Sequence, residues 1–362
     1  MNYEPMRKRG NLKLKLLIGV VIVLLLLAAL ELGLHVIENR MKGEESQYGD
    51  TGDWGKHAAD ADEGETGEEH LITIADKDYI YTDDIRTYLM IGTDATNHAA
   101  GKSSATTRGE MADFLMLLII NRTQDTYGFI QLNRDTMMNV PVLDETGKFT
   151  GFFEEQLCIA HWYGTTPEER NENTVYAVSR LLGDMDIDGY YAINMEDIDA
   201  LNNAIGGVVV TIKGDLTEVD PEFKDGAEVL LKDGQAEKFL RARMSVGEGT
   251  NQERMERQLQ YMQSAYSRLI NQIRENPNYI NDVYNEVSDK VQTNRSGKQL
   301  AEFAKYIGQS ESQGFLSFTG ETKEGDTLDD GIIHAEFYTD ESSIVRTLSK
   351  LIALKEAPAA EE

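Results

Sequence analysis

Residues 14–37 constrain this chain more than any other stretch. An almost purely apolar run, LLIGVVIVLLLLAAL from Leu16 to Leu30, continues through ELGLHVI to Ile37. A helix needs about 20 residues to cross the hydrocarbon of a bilayer, so 14–37 suffices, with Glu31 and His35 near its outer end. Arg7, Lys8, Arg9, Lys13 and Lys15 flank its start, and basic flanks stay in the cytoplasm. The expectation is a cytoplasmic basic tail over 1–13, one membrane anchor over 14–37, and everything beyond it extracellular. A cleaved signal peptide would carry an apolar core of about 7–15 residues and then a small-residue cleavage site. AALELG is a poor site and the apolar pattern runs on, which favours an uncleaved anchor in the cell membrane.

The next segment, 38–70, is acidic and poor in large aliphatic residues, as in GEESQYGDTGDWGKHAADADEGETGEEH. Such a composition cannot bury enough surface to offset chain entropy, so a disordered spacer is expected. The last residues, 355–362, read as a solvated tail. Across all 362 residues the net charge is −28, from 35 basic and 63 acidic side chains. Nucleic acid is excluded as a partner, because binding it requires basic surface to release counterions. Cys158 is the single cysteine; it can form neither an intrachain disulfide nor a thiolate zinc site, and its apolar neighbours suggest a small core residue.

The folded part is expected over 71–354. TYLMIGTD ending at Asp94, DFLMLLIIN and TYGFIQLN read as strands, the second buried on both faces. TVYAVSRLLG has helical spacing and a terminal glycine, Gly183. DIDGYYAINM reads as a strand, EDIDALNNAIGG as a helix closed by glycines, and VVVTI as a strand. LKDGQAEKFLRAR and NQERMERQLQYMQSAYSRLINQI are helical. Further helices are expected around SGKQLAEFAKYIG and DESSIVRTLSKLIAL, with a strand at IIHAEFYT between them. Alternating strands and helices make an α/β layered domain.

In so acidic a chain the arginines stand out. Arg134 and Asp135 follow a strand, where an open α/β sheet presents its ligand crevice. Arg108 lies upstream of the second strand, and Arg241 and Arg243 lie in KFLRARMSV. Arg254, Arg257 and Gln258 share one helix face through i, i+3 and i+4 spacing. Arginine suits bidentate grips on phosphate. Asp94 ends the first strand and Asp113 opens the second. Surface ion pairs and turn duty account for such residues singly; an anionic pyrophosphate with Mg²⁺, which needs only one or two carboxylates besides phosphate, accounts for them together. No Walker loop, dinucleotide fingerprint or G-x-S-x-G elbow is present, and the histidines lack metal-ligand spacing.

These landmarks resemble the LytR–CpsA–Psr family. YLMIGTD is like its strand ending in Gly-x-Asp. MADFLMLLIINRTQDTYGFIQLNRDTMMNVP is similar to its R-S-D-T and S-I-P-R-D strands, and DIDGYYAINMEDIDALNNAIGGVVVTI to its segment ending in Gly-Gly-Val. LLKDGQAEKFLRAR resembles its helix leading to Arg-x-Arg, and NQERMERQ its Asp-x-x-Arg-x-x-Arg-Gln. The match runs from about Asp84 to Leu351 in the family's order. Three positions depart from it: Asn133 replaces the proline before Arg-Asp, Met111 stands where an arginine precedes Asp113, and Asn251 replaces the last motif's aspartate.

The resemblance implies an α/β fold with a mixed central sheet flanked by helices, preceded by one transmembrane helix. It implies an Mg²⁺-dependent phosphotransferase that moves a glycopolymer, such as a teichoic acid or capsular polysaccharide, from an undecaprenyl-pyrophosphate carrier to peptidoglycan. Arg108, Arg134, Arg241, Arg243, Arg254, Arg257 and Gln258 would grip pyrophosphate, Asp94 and Asp113 would hold the metal, and Arg134, Asp135 and Asp113 would be catalytic, either aspartate serving as base. The carrier's lipid tail would enter an apolar slot. A non-catalytic polyprenyl-pyrophosphate-binding regulator and a pyrophosphatase acting on the same lipids are the rival readings.

Overall fold

The computed structural model describes residues 69–94, 110–242, 251–276, 279–295, 310–327, 331 and 333–358. The expected anchor, nearly all of the expected spacer, Arg108, Arg243 and the helix expected around SGKQLAEFAKYIG lie outside these residues. No helix among the described residues is long and apolar enough to cross a membrane.

The domain begins with a hairpin, β1 (His70–Ile74) and β2 (Lys77–Tyr81), so His70 belongs to a strand rather than to the spacer. Then come β3 (Ile85–Asp94), β4 (Met111–Asn121) and β5 (Thr126–Leu132). A second hairpin, β6 (Met137–Leu143) with β7 (Phe149–Gln156), leads into a 3-10 helix over Leu157–Trp162. Helix α1 (Pro167–Leu181) precedes β8 (Gly189–Asn194), α2 (Ile198–Ala204), β9 (Val208–Thr211) and β10 (Glu228–Leu231). Next are α3 (Gln235–Arg241), α4 (Asn251–Glu275), α5 (Tyr279–Val287) and β11 (Val291–Thr293). The chain ends with β12 (Glu311–Ser317), β13 (Gly320–Gly325), β14 (His334–Thr339), α6 (Glu341–Leu348) and β15 (Lys355–Glu356).

The central sheet has six strands in the order β11-β8-β3-β4-β5-β12. β3 runs antiparallel to β4 and β4 to β5, while β8 is parallel to β3 and β12 to β5. The sheet is therefore mixed, with helices on both faces. Strand β4 shows why. Leu115, Leu117 and Ile119 point into one core with α1 and α6, and Met116, Leu118 and Ile120 into the other with α2, α3 and α4. Burial of each such side chain stabilises the fold by about 1.5–3 kcal/mol, and a strand buried on both faces reads as a near-continuous apolar run, here Phe114 to Ile120.

Local chemistry sets the boundaries. Helix α1 starts at Pro167, well before the expected TVYAVSRLLG segment, because Thr166 caps it by accepting from the Glu169 N–H at 3.2 Å. Helix α2 stops where Gly206 and Gly207 adopt φ of 77° and 82°, turning the chain into β9. The last helix is shorter than expected, closing at Leu348.

The sheet order brings one rim together. The carboxyl ends of β3, β5 and β8 and the amino end of β4 lie along the same edge, with Asp94, Asp113 and Arg134 on it.

Candidate functional site

Asp113 owes its position to a defect in strand pairing. Gly92 pairs with Phe114 and Thr93 with Ala112, so Asp113 is the extra residue of a β-bulge. A bulge re-aims the side chain it carries. Gly92 is needed opposite it: a Cβ there would sit 2.9 Å from the Cβ of Phe114. Asp113 is buried, and both of its carboxylate oxygens meet arginines. Oδ1 accepts from Arg134 Nη1, and Oδ2 accepts from Arg254 Nη1 at 3.3 Å.

Arg134 follows β5 and is 5% exposed. Its Nε lies 3.3 Å from Asp135 Oδ1, in ion-pair range but not aligned for a hydrogen bond. Its Nη2 donates to Cys158 Sγ at 3.1 Å and to Met111 Sδ at 3.2 Å. Asp135 Oδ1 also accepts from Gln156 Nε2 at 3.4 Å. Burial pushes the Arg134 guanidinium down, but Cys158 first, then Asp135 and Asp94, outweigh it and hold it above its ordinary range, while burial pushes the Cys158 thiol up.

Helix α4 brings its first turns to the same place. Gln258 Nε2 donates to the Asp113 carbonyl at 3.4 Å, one turn after Arg254. Arg257 donates from Nη2 to the Ala242 carbonyl, tying α4 to the end of α3. Its Nε is buried without a hydrogen-bond partner among the described residues. Arg241, on the last turn of α3, pairs with Asp94 Oδ1 at 2.8 Å and with Glu237 at 3.1 Å. Arg134, Asp135, Asp113, Arg254 and Gln258 therefore share one network, Asp94 and Arg241 form a second pair on the same rim, and Arg108 and Arg243 lie outside the described residues.

Two of the departures from the family pattern touch each other. Asn251 Nδ2 donates to Asn133 Oδ1 at 2.7 Å, and Asn251 Oδ1 accepts from Arg254 Nη2 at 2.8 Å. Asn133 Oδ1 also accepts the Asp135 N–H at 2.9 Å. An aspartate at 251 has no N–H to give, so the neutral amide suits the neighbour it has.

An apolar cavity whose lining residues the sequence did not mark runs under this network, between the sheet and α2–α4. It offers about 60 Å³ to the centre of a water molecule, and Met90, Phe114, Tyr191, Leu201, Leu240 and Tyr261 are among its walls. Gln258 also lines it. These residues come from β3, β4, β8, α2, α3 and α4, and each looks like ordinary core in its own segment. His161, one of the histidines without metal-ligand spacing, has a structural place: its Nδ1 faces the Glu110 carbonyl at 2.9 Å at the start of β4, and burial keeps its imidazole below its usual range.

Among the described residues no three His, Cys, Asp or Glu side chains gather as a metal cluster. Asp94 and Asp113, the residues that would hold Mg²⁺, are both buried and both engaged by arginine, Asp94 by Arg241 and Asp113 by Arg134 and Arg254, so a metal there would have to share or displace those cations.

The profile of the LytR_cpsA_psr family matches residues 54–351. The chain belongs to the LytR–CpsA–Psr family. Solved structures agree on the fold of this LytR–CpsA–Psr protein. TagT bound to LI-WTA aligns with a TM-score of 0.51 at 19% identity, over 74% of this chain and 89% of that one. Bacillus subtilis TagV gives 0.51 at 19% identity, over 74% and 96%. The Streptococcus agalactiae protein gbs0355 gives 0.56 at 20%, over 74% and 86%. No curated protein matches the chain in sequence.

Proposed function

We propose that this LytR–CpsA–Psr protein is a membrane-anchored phosphotransferase that moves a glycopolymer from an undecaprenyl-pyrophosphate carrier to peptidoglycan. Family membership supports the coarser part, a transferase role in cell-wall glycopolymer assembly. One observation carries the rest. Gln258 belongs both to the buried arginine network and to the wall of the apolar cavity. A site with cations at one end and a greasy slot at the other suits an amphipathic ligand with an anionic head and an apolar tail. The likeness to TagT bound to LI-WTA favours wall teichoic acid as the polymer class.

In the reaction, an acceptor hydroxyl oxygen attacks the phosphorus that bears the glycan. The bond from that phosphorus to the bridging oxygen breaks, and polyprenyl phosphate leaves with the electron pair. Arg134, Arg254 and Arg257 hold the pyrophosphate and stabilise the charge that gathers on the leaving group. Mg²⁺, held by Asp94 and Asp113, would neutralise part of the same charge. Asp113 uses both oxygens on arginines, whereas Asp135 keeps Oδ2 clear of hydrogen bonds among the described residues. The acceptor proton therefore passes to Asp135. The anchor over 14–37 keeps the site beside the membrane that carries the lipid.

The test supplies full-length protein with Mg²⁺, a polyprenyl-pyrophosphate oligosaccharide and peptidoglycan fragments. Labelled sugar on peptidoglycan is the expected product. Release of free sugar phosphate into water without an adduct would replace the transferase with a pyrophosphatase, and tight lipid binding without turnover would replace it with a regulator.

A further inference from the structure

The Nη2 group of Arg134 is held in an unusual way. Its described hydrogen bonds both go to sulfur, Cys158 Sγ at 3.1 Å and Met111 Sδ at 3.2 Å, while Nη1 is bound by the Asp113 carboxylate. Cys158 is fully buried and backbone-locked to the same arginine, its N–H donating to the Arg134 carbonyl at 3.0 Å. Met111 is half-buried at the amino end of β4. Thiol and thioether sulfurs are weak acceptors, whereas a charge-assisted bond from guanidinium to a phosphate oxygen is roughly twice as strong as a neutral one. A buried guanidinium bound by carboxylates on every side would have to surrender strong bonds to take up a phosphate. This one surrenders only the Met111 contact at Nη2, where the unbranched side chain can move aside, and keeps the buried Cys158 contact.

We propose that Cys158 is a positioning residue that aims the Nη2 edge of Arg134, and that the Met111 thioether holds the other Nη2 hydrogen until a phosphate oxygen displaces it. The proposal rests on the pyrophosphate-binding reading above. It assigns a task to the single cysteine and to the methionine that stands where the family pattern has an arginine. Neither sulfur touches the ligand; both act through Arg134.

A double-mutant cycle tests this, with full-length protein in detergent and farnesyl pyrophosphate as the calorimetric probe. Met111→Leu keeps size and removes the acceptor, and Cys158→Ala does the same at the buried end. Cys158→Ala, which removes a contact kept in the complex, is expected to weaken binding about three- to tenfold, in line with a lost interaction of a hydrogen bond's size. Met111→Leu, which removes only a contact the ligand displaces, is expected to leave binding within about twofold or tighten it. In an Arg134→Lys background, which lacks Nη2, each is expected to change binding by less than about twofold. Cys158→Ser, which retains an acceptor, is expected to lose less than Cys158→Ala. Equal losses from Cys158→Ala in both backgrounds, or no loss in either, would overturn the proposal. Should Cys158→Ala fail to fold, Met111→Leu still tests the exchange, and a loss of about threefold or more in that variant would overturn it.

A ligand-free readout keeps this distinct from the functional reading. The protein has one thiol, so its Raman S–H band reports Cys158 alone. The band is expected to shift between the parent and Arg134→Lys. An unchanged band would overturn the positioning role whatever the ligand. Failure of the parent to bind farnesyl pyrophosphate would instead overturn the pyrophosphate reading, and the affinity claim with it.

Discussion

Arg254 donates to Oδ2 of Asp113 at 3.3 Å while Oδ1 of the same carboxylate takes Arg134. One aspartate thus brings two buried guanidinium groups together from a strand end and a helix that lie far apart in sequence. Removing a partner from a buried ion network costs about 3–5 kcal/mol because it leaves charge uncompensated. Asp113→Ala is therefore expected to lower unfolding stability by about that much in urea titrations of the full chain. A loss under about 1 kcal/mol would mean that the two arginines do not depend on Asp113.

The amide bridge makes a separate prediction. Asn251→Asp sets a carboxylate oxygen against Asn133 Oδ1, where an N–H stood 2.7 Å away. An unmade buried hydrogen bond costs about 1–3 kcal/mol, so the unfolding midpoint should fall. In an Asn133→Ala background the opposing oxygen is gone, and Asn251→Asp should cost less. Additive losses would contradict the pairing.

How much of this was legible beforehand depends on range. Every strand that ended up buried on both faces was an apolar run in the sequence, β4 most plainly, and the helical phase of Arg254 and Gln258 already put them on one face. The bulge at Asp113 was not legible, because it follows from a two-for-one pairing between β3 and β4. Neither was the link between Arg134 and Cys158, which needs the β6–β7 hairpin to bring the chain back. Cys158 looked like small core, and it is fully buried, but its sulfur faces a guanidinium. The cavity walls come from six elements, so no local pattern could have marked them.

The cavity gives a third prediction. Leu201→Trp places an indole at its wall. Under the proposed reading, affinity for a long polyprenyl pyrophosphate should fall about tenfold or more, while affinity for dimethylallyl pyrophosphate should hold within about twofold. Calorimetry on both ligands separates a blocked slot from a damaged head-group site, and equal losses would remove the cavity from the account.

His161 supplies a pH prediction. Its folded-state pKa lies below the ordinary 6.5 because burial disfavours the charged ring. The unfolded chain therefore takes up a proton at pH values where the folded protein does not. The stability that follows is full above pH 6.5 and is lost progressively as pH falls from there toward the lower folded-state value. Urea midpoints measured between pH 7.5 and 5.5 should fall more steeply for the parent than for His161→Gln. Parallel slopes would show that the ring is not held neutral.

The central claim is that Arg134 serves the transfer of a phosphate-linked glycan. The most direct measurement compares the parent chain with Arg134→Ala in the transfer of labelled oligosaccharide from polyprenyl pyrophosphate to peptidoglycan, with Mg²⁺ and with folding of both proteins checked by circular dichroism. The account predicts adduct from the parent and at least a hundredfold less, about 2.7 kcal/mol of lost transition-state stabilisation, from the folded variant. Equal adduct from both proteins would contradict it.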